Sequence, residues 1–172
     1  VTLPPGGYTV QVEGVGTGAA AHGVAIVEVY EADASPSSLV NLSCRARVGT
    51  GGDILIAGFT LSGTASKRML VRAVGPTLAG LGVSGTLANP RLELIRQGAP
   101  AATALVASND DWDPALASTF ASIGAFALNP GSRDAALTVT LPAGAGTAEV
   151  RGTSAGVVLD EAYDTASLAT SR

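Results

Sequence analysis

The chain has 172 residues, a formal net charge of −4, 47% apolar residues and only 14% charged ones. Nucleic-acid binders present a basic face, and here the one lysine, Lys67, stands among arginines scattered without a patch, so a nucleic-acid partner is excluded. No apolar run approaches the roughly 18 residues of a membrane helix, which leaves no membrane span to assign.

Small apolar residues punctuated by 22 glycines and 9 prolines favour a sheet protein with many turns over a helical one. Residues 1–33 read as a β-hairpin, with Val10 and Val12 in one strand and alternate positions of Val24–Tyr30 in the other. Residues 34–38, Ala-Ser-Pro-Ser-Ser, are a polar linker and the clearest boundary in the chain. Residues 39–48 then read as a strand holding Cys44, the only cysteine. A lone cysteine forms no intrachain disulfide, and in an apolar strand it is read as a buried small hydrophobe. Residues 53–61 are apolar on both faces, as a covered strand is. Lys67–Val74 alternates and stops at Gly75-Pro76, since proline cannot donate to a ladder.

Residues 76–90 read as loop with a helical turn at Thr77–Gly80, followed by strands at Arg91–Arg96 and Thr103–Ala107. Ala115–Ile123 is the one plausible longer helix, with Asp113 as its cap and Pro114 at its first position. Ala135–Leu141 is a further strand.

Beyond it the opening of the chain returns. Val1-Thr2-Leu3-Pro4 is answered by Val139-Thr140-Leu141-Pro142, and Gly23-Val24 through Glu28 and Tyr30 by Gly156-Val157 through Glu161 and Tyr163. This second copy also reads as a hairpin. Gly146 stands in it where the first has Tyr8, and Asp160 where the first has Val27, read as an edge charge that limits indiscriminate pairing. A motif written at both ends marks a tandem array or a head-to-tail polymer. The chain opens without Met and inside the motif, as a processed or trimmed product does, and residues 165–172 echo the strand at 39. About ten short strands make an all-β fold, a β-sandwich over residues 39–164 with an additional N-terminal β-hairpin.

Candidate chemistry is sparse. Gly152-Thr153-Ser154-Ala155-Gly156 matches the pattern of a nucleophile elbow, which needs a strand-to-helix turn and a histidine base. The only histidine, His22, lies in the other copy's loop, so no enzyme is expected. Asn109, Asp110, Asp111 and Asp113 gather the hard oxygens that calcium prefers, or form a polar turn and helix cap. Trp112 beside Asp110 either stacks on a sugar ring or anchors the loop from beneath. Arg72 before Gly75-Pro76 binds an anion or, on the plainer reading, pairs with a carboxylate that holds the turn.

Leu39-Val40-Asn41-Leu42-Ser43, Gly49-Thr50-Gly51, Ile54–Phe59, Leu70–Leu78, Leu87-Ala88-Asn89-Pro90, Asn109–Trp112 and the duplicated motif occur in that order. Together they resemble a repeat domain of large secreted or surface proteins of Verrucomicrobia, Acidobacteria and related bacteria. The resemblance spans nearly the whole chain and implies an extracellular domain with little chemistry of its own. The expectation is a non-catalytic structural protein of the cell exterior, a subunit of a self-assembling filament or tube built by strand addition between copies. Its interface would be Tyr8, Val10, Val12, Val24, Ile26, Val29 and Tyr30. The alternative is a surface carbohydrate-binding or adhesion module, with calcium at 109–113 its only cofactor.

Overall fold

The computed structural model describes residues 1–21, 23–32 and 38–166. His22, most of the 34–38 linker and residues 167–172 lie outside that set. The chain divides into two units, Val1–Leu39 and Val40–Arg172.

The larger unit is a β-sandwich. Its strands are β1 (Asn41–Val48), β2 (Leu55–Leu61), β3 (Lys67–Val74), β4 (Arg91–Arg96), β5 (Leu105–Asn109), β6 (Ala135–Leu141), β7 (Gly144–Arg151) and β8 (Gly156–Asp164). They form two four-stranded antiparallel sheets, in the orders β1-β8-β3-β6 and β2-β7-β4-β5. Eight strands are seen among the described residues rather than about ten, and each corresponds to an apolar run of the sequence. The shortfall is the N-terminal hairpin: residues 1–21 and 23–32 contain no strand, only a 3-10 turn at Gly18–Ala21. Two strands without a core to cover are marginal in water.

The alternation of each strand sends one set of side chains between the sheets. Val48, Leu55, Val71, Ala73, Val150 and Val158 meet there as the main core. The other face of the first sheet is also covered, and Leu70 and Val74 of β3 with Tyr163 of β8 pack under Leu78, Trp112, Phe120 and Leu128. That cover is built from α1 (Pro76–Gly80), a 3-10 turn at Pro114–Leu116, and α3 (Ala117–Ser122), with their connections. The longer helix expected at 115–123 is thus split into two short pieces. A helical turn, α2 (Ala101–Ala104), takes the start of the strand expected at 103.

The C-terminal copy of the motif is not a hairpin. β6 and β8 lie in one sheet and β7 in the other, so the chain changes sheet at each turn. The glycines at the β7–β8 crossing explain why. A Cβ on Gly156 would lie 2.5 Å from the backbone of Leu87, and one on Gly152 would lie 2.6 Å from the Leu87 side chain. Leu87 is fully buried and donates its N–H to the Val157 carbonyl at 2.8 Å. The crossing is pressed against this loop, and only glycine leaves the room.

Candidate functional site

The acidic turn is occupied by the fold itself. Asn109 ends β5, where its Oδ1 accepts from Ala136 N at 2.9 Å and its Nδ2 donates to the Asp111 carbonyl at 2.9 Å. Asp113 accepts from Ala115 N at 2.9 Å, the capping role that its place before Pro114 suggested. Asp110 and Asp111 are exposed. No group of three or more His, Cys, Asp or Glu suited to a metal is present among the described residues. Trp112 is buried, its ring 5.6 Å from Phe120 and its indole N–H donating to Ser132 Oγ at 3.2 Å. It anchors the loop from beneath.

The elbow pattern fares no better. Ser154 is exposed in the loop that crosses from β7 to β8, a strand-to-strand connection where the elbow needs a strand-to-helix turn.

Arg72 is the best-held side chain in the molecule. It is fully buried on the covered face of β3, and its Nε and Nη2 donate to Glu161 Oε2 of β8 at 3.0 and 2.5 Å. Its Nη1 donates to the Phe126 carbonyl at 2.7 Å. The guanidinium carbon lies 4.4 Å from the centroid of Phe126, 5.0 Å from Phe120 and 5.6 Å from Tyr163. Tyr163 in turn donates its hydroxyl to Glu161 Oε1 at 2.8 Å. Burial and that neighbouring carboxylate push the tyrosine hydroxyl far above its ordinary range. The turn after β3 is held by Asp134 instead, which is fully buried and accepts from Gly75 N at 2.7 Å and from Thr77 Oγ1 at 2.5 Å.

Asp160 overturns its reading as an edge charge. It sits in β8 between β1 and β3, fully buried, opposite Cys44 on one side and Ala73 on the other. Its strand neighbours Val158 and Ala162 face the inter-sheet core, so Asp160 faces it too, and no side chain hydrogen-bonds to either of its oxygens. Burial, with the charge of Glu161, drives its carboxyl well above the usual carboxylate range. Cys44 in turn is exposed where a buried thiol was expected. β1 is an edge strand, and partial desolvation with Asp160 opposite raises the thiol.

The seven residues proposed as an interface all lie in the smaller unit. Tyr8, Val10, Val12, Val24, Ile26, Val29 and Tyr30 are each more than half exposed. Of the sixteen exposed large apolar residues among those described, twelve fall in residues 1–39. One feature of the folded copy survives here: Tyr30 donates to Glu28 Oε1 at 2.8 Å, the bond that Tyr163 makes to Glu161. What sequence reasoning missed is the seat around that pair, namely Arg72 as the partner of Glu161, Leu87 over the glycines, and Asp134. The signal was present for the first two, since Glu28, Tyr30 and Gly23 are kept in both copies.

No helix among the described residues is long and apolar enough to cross a membrane. No family model matches the chain, and no curated protein does. A solved structure similar to it is the pre-peptidase C-terminal domain of collagenase from Bacillus anthracis, at 10% identity and a TM-score of 0.42, covering 72% of this chain and 88% of that one.

Proposed function

We propose that the chain is a non-catalytic structural protein of the bacterial cell exterior, a subunit of a filament or tube in which residues 1–32 of one copy complete β-structure in the next. The observation that carries this reading is the row of exposed Tyr, Val and Ile side chains at 8–12 and 24–30, on a segment without a ladder of its own. Burying each such side chain is worth about 1.5–3 kcal/mol, and its free backbone groups need partners. Receiving edges exist: β2 and β6 are seven-residue edge strands with neither charge nor proline, the usual protections against pairing. Giver and receiver differ, so the contact is heterologous and propagates.

The exterior location is supported by the resemblance to secreted repeat domains. The absence of catalysis is supported by the placement of Ser154. The test is electron microscopy and sedimentation of the purified chain beside a variant lacking residues 1–32. Ordered filaments or tubes from the full chain, with a folded monomer from the shortened one, are the expected result. Equal behaviour of the two sinks strand donation.

A further inference from the structure

Residues 23–31 and β8 can be laid side by side, Gly23 on Gly156 through Glu31 on Asp164. Each residue that ties β8 to the rest of the sandwich then has a counterpart. Gly156 leaves room for Leu87, and Gly23 is also glycine, although nothing lies within 4 Å of a Cβ built there. Glu161 holds Arg72, with Tyr163 bonded to it, and Glu28 with Tyr30 reproduces that pair, hydrogen bond included. Asp164 pairs with Lys67, the chain's one lysine, and Glu31 stands at that place. On the inner face Val158 and Ala162 are answered by Ala25 and Val29, an exchange that conserves the total volume, as well-packed cores require. Asp160, a polar residue of that face without a side-chain partner, is answered by Val27. A free hairpin has no use for a glycine facing open space or for an acid–tyrosine pair without its arginine.

We propose that residues 23–31 are a second β8, made for the seat between β1 and β3 of another copy of this chain, where they displace the resident strand, with Glu28 taking Arg72 and Val27 taking the place of Asp160. This rests on the reading of residues 1–32 as a donated segment and names its receiver. The exchange leaves the number of ladder hydrogen bonds unchanged, because one strand of equal length replaces another. Its driving force is the core position of Asp160, where a fully buried carboxyl without a side-chain partner gives way to an aliphatic group of suitable size. The first run follows a different rule. Gly146 lies opposite Phe59, and a Cβ there would already sit 3.1 Å from that ring, so Tyr8 cannot take the matching place in β7.

Cys44, the only cysteine and an exposed one, lies directly opposite residue 160. Opposed residues of an antiparallel pair have Cα atoms about 4.5–5.5 Å apart, within the range of a disulfide. The test is therefore the full chain carrying Val27→Cys, oxidised under assembly conditions and run on a non-reducing gel. The expected result is a reducible ladder of chain multiples, reduced to dimers at most when Cys44→Ser is added. Glu28→Ala, at an exposed position that leaves the monomer intact, should abolish the ladder. Val24→Cys, whose place lies opposite Arg47, should give none. Assembly that proceeds without the Val27→Cys ladder, as addition at the edge of β2 or β6 would give, overturns the seat while leaving strand donation standing. A disulfide closed within one chain overturns the second copy as the partner. Failure of the full chain to assemble at all removes both readings.

Discussion

The molecule carries one motif in two states. At residues 139–164 it is folded into the sandwich and ends in the largely buried β8, and at residues 1–21 and 23–31 it forms no strand and leaves its large apolar side chains exposed. Intrinsic preference does not explain the difference, because the N-terminal copy is the better strand former. Val27 replaces Asp160 in it, and Val10 replaces Ala148. The difference lies in what surrounds each copy. β7 is hydrogen-bonded to β2 and β4, and β8 to β1 and β3. No strand of the motif is a neighbour of the one before it, so the motif holds nothing together without four strands from elsewhere.

The largest test of this contrast is at Arg72. Arg72→Met leaves Glu161 buried without its cation, and breaking a buried pair from one side costs about 3–5 kcal/mol. Chemical denaturation of the variant should show a loss of that order, while Glu28→Gln leaves the midpoint of the same chain unmoved. Equal effects of the two variants would mean that the copies are not distinguished by burial.

Gly156→Ala comes next. Its methyl meets the backbone of Leu87, which cannot rotate away, and the expected loss is about 1–3 kcal/mol. Gly23→Ala meets open space and should be silent in the monomer. A silent Gly156→Ala would show that the Leu87 loop yields.

Asp160→Val, which writes the N-terminal residue into the C-terminal copy, acts in the opposite direction and depends on pH. The folded state holds the Asp160 proton more tightly than the unfolded chain does. The stability tied to this group is therefore fully present below the unfolded carboxylate pKa of about 3.9. It is lost as pH rises from there through the raised folded value. Asp160→Val should remove that slope, so its advantage over the parent grows from acid toward neutral pH. A difference between the two proteins that is flat with pH would mean that Asp160 is not held in its neutral form. The smallest expected effect is that of calcium. Asn109 Oδ1 and Asp113 Oδ1 already accept backbone hydrogen bonds, so calcium and a chelator should each leave the melting temperature unchanged.

The strands of the sandwich were legible because each alternates or runs apolar between Gly and Pro breaks, as Lys67–Val74 does before Gly75-Pro76. Pairing was not legible. The short loop of residues 152–155 looks like a hairpin turn, and only the contact with the distant Leu87 shows that it crosses between the sheets. Burial of polar residues was equally hidden. Asp160 and Glu161 are adjacent acids in a run of nine residues, and facing direction alone gives Glu161 an arginine and leaves Asp160 without a side-chain partner. In the acidic turn Asn109, Trp112 and Asp113 attract attention by type, and the local hydrogen bonds of their side chains were not legible beforehand.

The crossing of the chain between sheets at β6, β7 and β8 also sets a clock. β8 closes the first sheet by joining β1 and β3, both made long before it, and contacts between residues so far apart in sequence fold slowly. Until β8 arrives, the seat beside Arg72 stands empty, and residues 23–31 of another copy can compete for it. Refolding of the full chain should therefore show a slow phase that grows with chain concentration and that the chain lacking residues 1–32 does not have, and identical refolding of the two would exclude the competition.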